Sequence, residues 1–211
     1  MEKDIYKIFK KEEIESIENF HFDFINRKKV VTFVPLEYVD KLNYEMAFAG
    51  AGNIGNYEFC SFRMKGLGTF KPLSKAKPFS GTKGKLSFVE EVRFEMECDE
   101  ENLDTVIDSL LSNHPYEEVA YEIYDFKKRK KIPSGFIINF KKEIDLKELM
   151  KRLNQKLDGK NIDSNSKIKK LAYVESKLTK NILRKVIINK CNYLLTFENK
   201  NIRHAFSFLP C

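Results

Sequence analysis

The amino-acid sequence predicts an α+β protein in two parts. Three observations carry this reading. Over residues 30–126 the apolar spacing alternates between a period of two and one of three to four, a basic tract ending in Pro133-Ser134-Gly135 interrupts the pattern, and the sign of the charge reverses there. A length of 211 residues with 42% apolar and 13% aromatic content is enough to bury one generous core or two small ones. The net charge of +7 averages over unlike segments. Residues 1–26 hold 4 basic and 7 acidic side chains, residues 30–126 hold 9 and 17, and residues 127–211 hold 22 and 7. An acidic block is joined to a basic one, a combination that favours docking within or between subunits.

Val30-Val31-Thr32-Phe33-Val34 is a β-rich run that Pro35 stops. Leu36, Val39, Leu42, Met46 and Ala49 then recur at helical spacing, with Glu37, Asp40, Lys41 and Glu45 on the other side. After a Gly-rich turn, Tyr57 to Met64 alternates as a second strand, and the Gly and Pro content of residues 66–84 predicts a loop. A third strand starts at Leu86, at its clearest where Val92, Phe94, Met96 and Cys98 alternate with Glu91, Arg93, Glu95 and Glu97. Asp99 is placed to cap a helix with the stripe Leu103, Val106, Ile107, Leu110 and Leu111, which His114-Pro115 ends. Val119, Tyr121 and Ile123 alternate in a last strand. The order βαββαβ is the ferredoxin-like arrangement, an antiparallel four-stranded sheet with both helices on one face.

The tract Lys127-Lys128-Arg129-Lys130-Lys131 opens a basic linker, 127–135. Beyond it, residues 136–211 read as a small α/β segment. Phe136 to Phe140 is a strand, and Asp145 with Glu148 forms a capping-box pattern before a helix on Leu146, Leu149, Met150, Leu153 and Leu157 that Gly159 closes. Ile168 to Val174 is a strand, Leu178 to Ile187 a helix and Tyr193 to Phe197 a strand, which together make a parallel crossover. Residues 1–29 form an N-terminal appendage in which Ile5, Ile8 and Phe9 are spaced helically and Phe20, Phe22 and Phe24 alternate as in an edge strand.

The longest stretch without a charge, Met46 to Tyr57, is twelve residues, short of a membrane span. The charged first twenty residues hold no apolar signal core, so a cytoplasmic location is expected. Cys60, Cys98, Cys191 and Cys211 are scattered without a Cys-x-x-Cys pair, as in a reducing compartment, and free thiols with Cys60 and Cys98 in a core are expected.

Two segments are candidate ligand sites. Gly50-Ala51-Gly52-Asn53-Ile54-Gly55 has the letters of the dinucleotide fingerprint, but that motif follows a strand and opens a helix, whereas these glycines follow a helix and precede a strand. The plainer reading is a helix C-cap and a turn needing positive φ. The functional reading is a loop, with Gly52, Asn53, Gly55, Asn56 and Tyr57, that offers backbone amides to a small anion. In the second segment His114, Tyr116, Glu117 and Glu118 gather an imidazole, a phenol and two carboxylates, a group able to bind a ligand or work as acid and base. Its plainer reading has His114 ending the helix and bonding a carbonyl, and Glu118 solvated on a strand. With only His21, His114 and His204 a multi-histidine metal centre is hard to build, so no catalytic residue, metal ligand or cofactor is assigned. The basic tract reads as a solvated linker, or else as a phosphate grip, and no aromatic residues interleave with it; nucleic acid is an unfavoured partner.

Gly50-Ala51-Gly52-Asn53-Ile54-Gly55-Asn56-Tyr57, Cys60-Ser61-Phe62, Gly66-Leu67-Gly68-Thr69-Phe70-Lys71-Pro72, Val89-Glu90-Glu91-Val92-Arg93 and His114-Pro115-Tyr116-Glu117-Glu118-Val119-Ala120-Tyr121 together resemble the domain inserted in Nif-three-like proteins, also known as GTP cyclohydrolase I type 2 homologues. The resemblance covers residues 30–126 and implies a PII/CutA-like domain, a fold given to trimers. It continues faintly over Phe136 to Leu157 and Ile168 to Phe206, where Thr196-Phe197-Glu198-Asn199-Lys200 stands in place of a Thr-Gly-Asp/Glu-x-Lys stretch. Phe197 replaces the glycine and Ile202 an expected histidine, with His204 displaced. The metal ligands that the resemblance implies find no matching positions. The expectation is a non-catalytic homo-oligomerising module, trimer or hexamer, or a sensor of a small anionic ligand. The alternative is a metal-dependent hydrolase or cyclohydrolase-like enzyme in which His114, Glu117 and His204 assemble a site between subunits.

Overall fold

The computed structural model describes residues 2–153, 166–198 and 201–207. In chain order its elements are α1 Glu2–Ile8, β1 Ile14–His21, β2 Phe24–Val34, α2 Val39–Phe48, β3 Ser61–Phe70, β4 Ser87–Asp99, α3 Leu103–Asn113 and β5 Tyr121–Arg129. There follow β6 Gly135–Asp145, α4 Leu146–Arg152, β7 Lys167–Val174, α5 Lys180–Ile188, β8 Tyr193–Glu198 and β9 Asn201–Ser207. Contacts divide the chain into two compact units, one of residues 25–128 and one of residues 1–24 with 129–211.

The central unit is an α+β fold with the sheet order β3-β4-β2-β5, which is the ferredoxin-like order for a βαββαβ chain. β4 pairs antiparallel with both β2 and β3. Alternation on β4 puts Val92, Phe94, Met96 and Cys98 on one face, where they meet Val30 and Val34 of β2, Val39, Leu42 and Met46 of α2, and Val106 and Leu110 of α3. Both helices therefore cover one face. The other face carries ion pairs: Glu95 accepts from Lys29 Nζ at 2.9 Å and Arg93 Nε at 2.8 Å, and Glu97 from Lys128 Nζ at 2.7 Å.

The second strand of this unit differs from expectation. It starts at Ser61 rather than Tyr57 and runs to Phe70, through residues expected to form a loop. Gly66 and Gly68 have low strand propensity, but pairing with β4 overrides it, with Gly66 opposite Glu91 and Phe70 opposite Ser87. β2 leaves β4 at the Val34–Val92 pair, so residues 66–70 and 87–91 continue alone as a two-stranded arm. β5 runs to Arg129, so the first three residues of the basic tract are extended strand rather than linker.

The other unit is a five-stranded sheet, β1-β6-β7-β8-β9, with β7 and β8 parallel as the crossover requires. One face is buried by Ile5 and Phe9 from the α1 segment and by Leu146, Leu149 and Met150 of α4, against Phe136, Ile138, Phe140, Leu171, Tyr173 and Leu195. The opposite face is buried by Ile182 and Val186 of α5 against Ile137, Ala172, Val174 and Leu194. Here the sheet is covered on both sides. β1 and β9 were not expected as strands of this sheet; β1 pairs antiparallel with β6 across more than a hundred residues of chain.

Asp145 stands at the N-cap of α4 without a side-chain cap bond, so the expected capping box does not form. The expected closure at Gly159 and the thiol of Cys211 lie outside the described residues. No helix among the described residues is long and apolar enough to cross a membrane.

Candidate functional site

The Gly-rich segment follows α2 directly. Gly50, Gly52 and Gly55 have φ of 106°, 74° and 65°, values that L side chains rarely adopt, as a helix end followed by a tight turn requires. Most of its amides bond internally. Gly50 N–H donates to Ala47 O, Ala51 N–H to Met46 O and Gly52 N–H to Glu97 O, while Ile54 and Tyr57 exchange amide bonds across the Gly55-Asn56 turn. Those groups are not available to an anion. Arg27, 7% exposed, fixes the loop from below, donating through one guanidinium nitrogen to Asp99 Oδ1 at 2.7 Å and through the other to Asn53 O at 3.2 Å. Asp99, expected to cap the following helix, makes no side-chain cap bond and receives Arg27 instead.

The His114 group lies where α3 ends. The imidazole is 8% exposed, and both of its nitrogens have partners. Nε2 donates to Phe33 O at 3.1 Å and Nδ1 accepts from Tyr116 N–H at 3.2 Å, so the ring is neutral with its proton on Nε2. Burial pushes its pKa below the usual value near 6.5, against the opposing pull of the Phe33 carbonyl. A lone pair free for a metal or a substrate proton is therefore missing. Tyr116 donates its hydroxyl to Glu91 Oε1 at 2.9 Å, and burial, with the Glu91 charge, drives the phenol far above its ordinary range. Phe79 packs its ring against both Tyr116 and Tyr38 at centroid distances of 5.7 and 5.8 Å, and Glu117 Oε1 accepts the Lys77 amide. The cluster thus pins the 71–86 loop to the helix end. Glu118 is exposed.

The structure does not bring the two candidate groups together. Arg27, beneath Asn53, and Phe33, beneath His114, are six residues apart on β2, about 20 Å at about 3.3 Å per residue. Among the described residues no group of three or more His, Cys, Asp or Glu could hold a metal ion. Cys60 is half-buried rather than in the core, while Cys98 is buried as expected.

Two features were not singled out from sequence. Phe59 has a left-handed φ of 55°, and its ring lies edge-on to Tyr44 and Phe48 at 5.3 and 6.0 Å. The arm of β3 and β4 exposes Leu67 and Phe88 at 65% and 63%. The signal available for the arm was Leu67, Thr69 and Phe70, residues that favour strands or cores, set among the glycines.

No protein-family model matches the chain. Over 150 residues, 69% of its length, it is 39% identical to the GTP cyclohydrolase 1 type 2 homolog of Bacillus subtilis. Over 96 residues it is 45% identical to the protein of that name from Halalkalibacterium halodurans. The chain is a relative of the GTP cyclohydrolase 1 type 2 homologs, the NIF3 family. It spans 40% and 26% of the lengths of those two proteins. The structure of a Bacillus cereus protein related to NIF3 superposes on 90% of this chain and 51% of its own, with a TM-score of 0.52 and 27% identity. A Staphylococcus aureus protein, at 17% identity and a TM-score of 0.51 over 90% of this chain and 49% of its own, shares the fold.

Proposed function

We propose that this NIF3 relative is a non-catalytic, cytoplasmic assembly module that forms a homo-oligomer, trimer or hexamer, through its PII/CutA-like unit. The observation that carries this reading is the arm. Residues 66–70 and 87–91 form a two-stranded ribbon beyond the reach of β2, with Leu67 and Phe88 exposed. An isolated two-stranded ribbon is marginal in water, and strands with unpaired edges and apolar side chains invite another chain. A second copy supplies both what the edges and what the side chains lack. The rival reading, an enzyme with a site rebuilt between subunits around His114, loses support because both nitrogens of that ring are already bonded.

The test is light scattering after size-exclusion chromatography, with elemental analysis of the same sample. The expected mass is three or six times the 24.8 kDa chain, without stoichiometric metal. Leu67→Asp should give a monomer with an unchanged circular dichroism spectrum. A monomeric wild type, or tightly held metal tied to hydrolysis of GTP or a phosphoester, overturns the proposal.

A further inference from the structure

Charge in the central unit is segregated by segment. Of the nine basic residues between 30 and 126, five lie within 71–85, Lys71, Lys75, Lys77, Lys83 and Lys85, and that segment has no acidic residue. All five are exposed. The segment is built rather than loose: Gly84 N–H donates to Pro72 O at 2.8 Å, Lys85 N–H to Thr82 O at 3.1 Å, and Phe79 is held between Tyr38 and Tyr116. Lys83 Nζ reaches only the Ser74 carbonyl, and among the described residues none of the five has an ion-pair partner.

The opposite charge lies on α3 and the turn that leads into it. Asp104 and Asp108, four apart, share one exposed face of α3, Glu101 is exposed on the 3-10 turn Glu100–Asn102 just before it, and α3 contains no basic residue. Asp104 and Asp108 repel each other at i, i+4, and among the described residues none of the three carboxylates is paired with a cation. Among the described residues the two groups make no ion pair with each other within one copy. The lysine segment is pinned at the His114 end of the sheet and Glu101 follows Asp99 at the Arg27 end, about 20 Å away, while Asp104 and Asp108 stand progressively nearer the His114 end along α3, Asp108 about 9 Å from it.

We infer that the lysine segment of one copy docks on the acidic face of α3 in the next copy, head to tail. This rests on the assembly reading and deepens it by naming the charged contact that accompanies the apolar arm. Unpaired charges of opposite sign on two separate segments of one unit fit a repeated contact of this kind, which closes into a ring when its rotation allows. A phosphate backbone fits the lysine segment less well, because Glu90, Glu91, Glu117 and Glu118 flank it and its one aromatic ring, Phe79, is already packed against Tyr38 and Tyr116.

The experiment reverses each pole and then both in the full chain. One variant carries Lys75→Glu, Lys77→Glu and Lys85→Glu; a second carries Glu101→Lys, Asp104→Lys and Asp108→Lys; a third carries all six. Each of the first two should weaken self-association about tenfold at low salt, with the difference shrinking at high salt, and the third should return to within about threefold of wild type. Circular dichroism verifies folding of each. Reversals without effect on mass, or a sixfold variant no better than either parent, overturn the inference. Nucleic-acid binding by wild type that the lysine reversal abolishes does so too. If wild type is monomeric, the assembly reading falls; if Leu67→Asp dissociates it and the charge reversals do not, only the present inference falls.

Discussion

The two sheets of this chain solve the same problem differently. In the five-stranded sheet, helices bury both faces, with Ile138 and Phe140 on one side and Ile137 and Val174 on the other. The four-stranded sheet has helices on one face only, covers the other with ion pairs around Glu95 and Glu97, and continues into a two-stranded arm that leaves Leu67 and Phe88 exposed. A sheet buried on both faces presents little apolar surface of its own. Apolar side chains left in solvent on a paired ribbon have a use only if something binds them, which is why the interaction surfaces proposed above all lie in the central unit.

Two phenylalanines on one strand give the sharpest test of that contrast. Phe94 and Phe88 both belong to β4, the first at 0% exposure and the second at 63%. Phe94→Ala should lower unfolding free energy by about 3–5 kcal/mol, through lost burial and the cavity left behind. Phe88→Ala should change the stability of dilute protein by less than about 0.5 kcal/mol while lowering the mass seen by light scattering at high concentration. Equal losses in urea denaturation would mean that the arm belongs to the folding core, and the distinction between core and arm would fail.

A smaller effect distinguishes the units by pH. His114 in the central unit and His21 in the other both have pKa values pushed below the usual 6.5. Burial is the main cause in each; Asp23 opposes it at His21, where Lys185 adds to it. A depressed folded-state value means that the unfolded chain binds more protons just below pH 6.5. The contribution of each histidine is therefore complete above that pH and is lost as pH falls toward its folded value, at no more than about 1.4 kcal/mol per pH unit. Urea midpoints should fall between pH 7 and pH 5, before the carboxylates titrate. His114→Gln should flatten the profile of the central unit alone, and a midpoint independent of pH over that range would contradict the burial of both rings.

How much of this was legible follows from the range of the interactions. Alternation from Val92 to Cys98 and the stripe from Leu103 to Leu111 are local patterns, and both elements stand where the sequence put them. The arm was hidden because Gly66 and Gly68 mark a loop locally, while what makes them strand is pairing with Glu91 and Val89 more than twenty residues away. The pairing of β1 with β6 is more distant still and leaves no local trace. At the candidate site the plainer of the two readings of His114, that it ends a helix and bonds a carbonyl, agrees with the structure, but nothing in the sequence indicated that the carbonyl belongs to Phe33, nor that the second ring nitrogen is also occupied. Those partners occupy both ring nitrogens.

Helix caps give the smallest difference and test the same distinction between local pattern and actual contact. Thr179 caps α5, its hydroxyl accepting from Ile182 N–H at 3.2 Å. Asp145 holds the corresponding position on α4 without such a bond. Thr179→Ala should lower stability by about 1 kcal/mol, since it leaves a helix N–H without its acceptor. Asp145→Ala should cost only a few tenths of a kcal/mol, the loss of a negative charge near the positive end of a seven-residue helix. Both are read from urea denaturation, and both helices lie in the same unit, so the comparison is internal. A loss at Asp145 as large as that at Thr179 would show that the capping pattern at Asp145 and Glu148 forms in solution, and that the sequence at this helix end was the better guide.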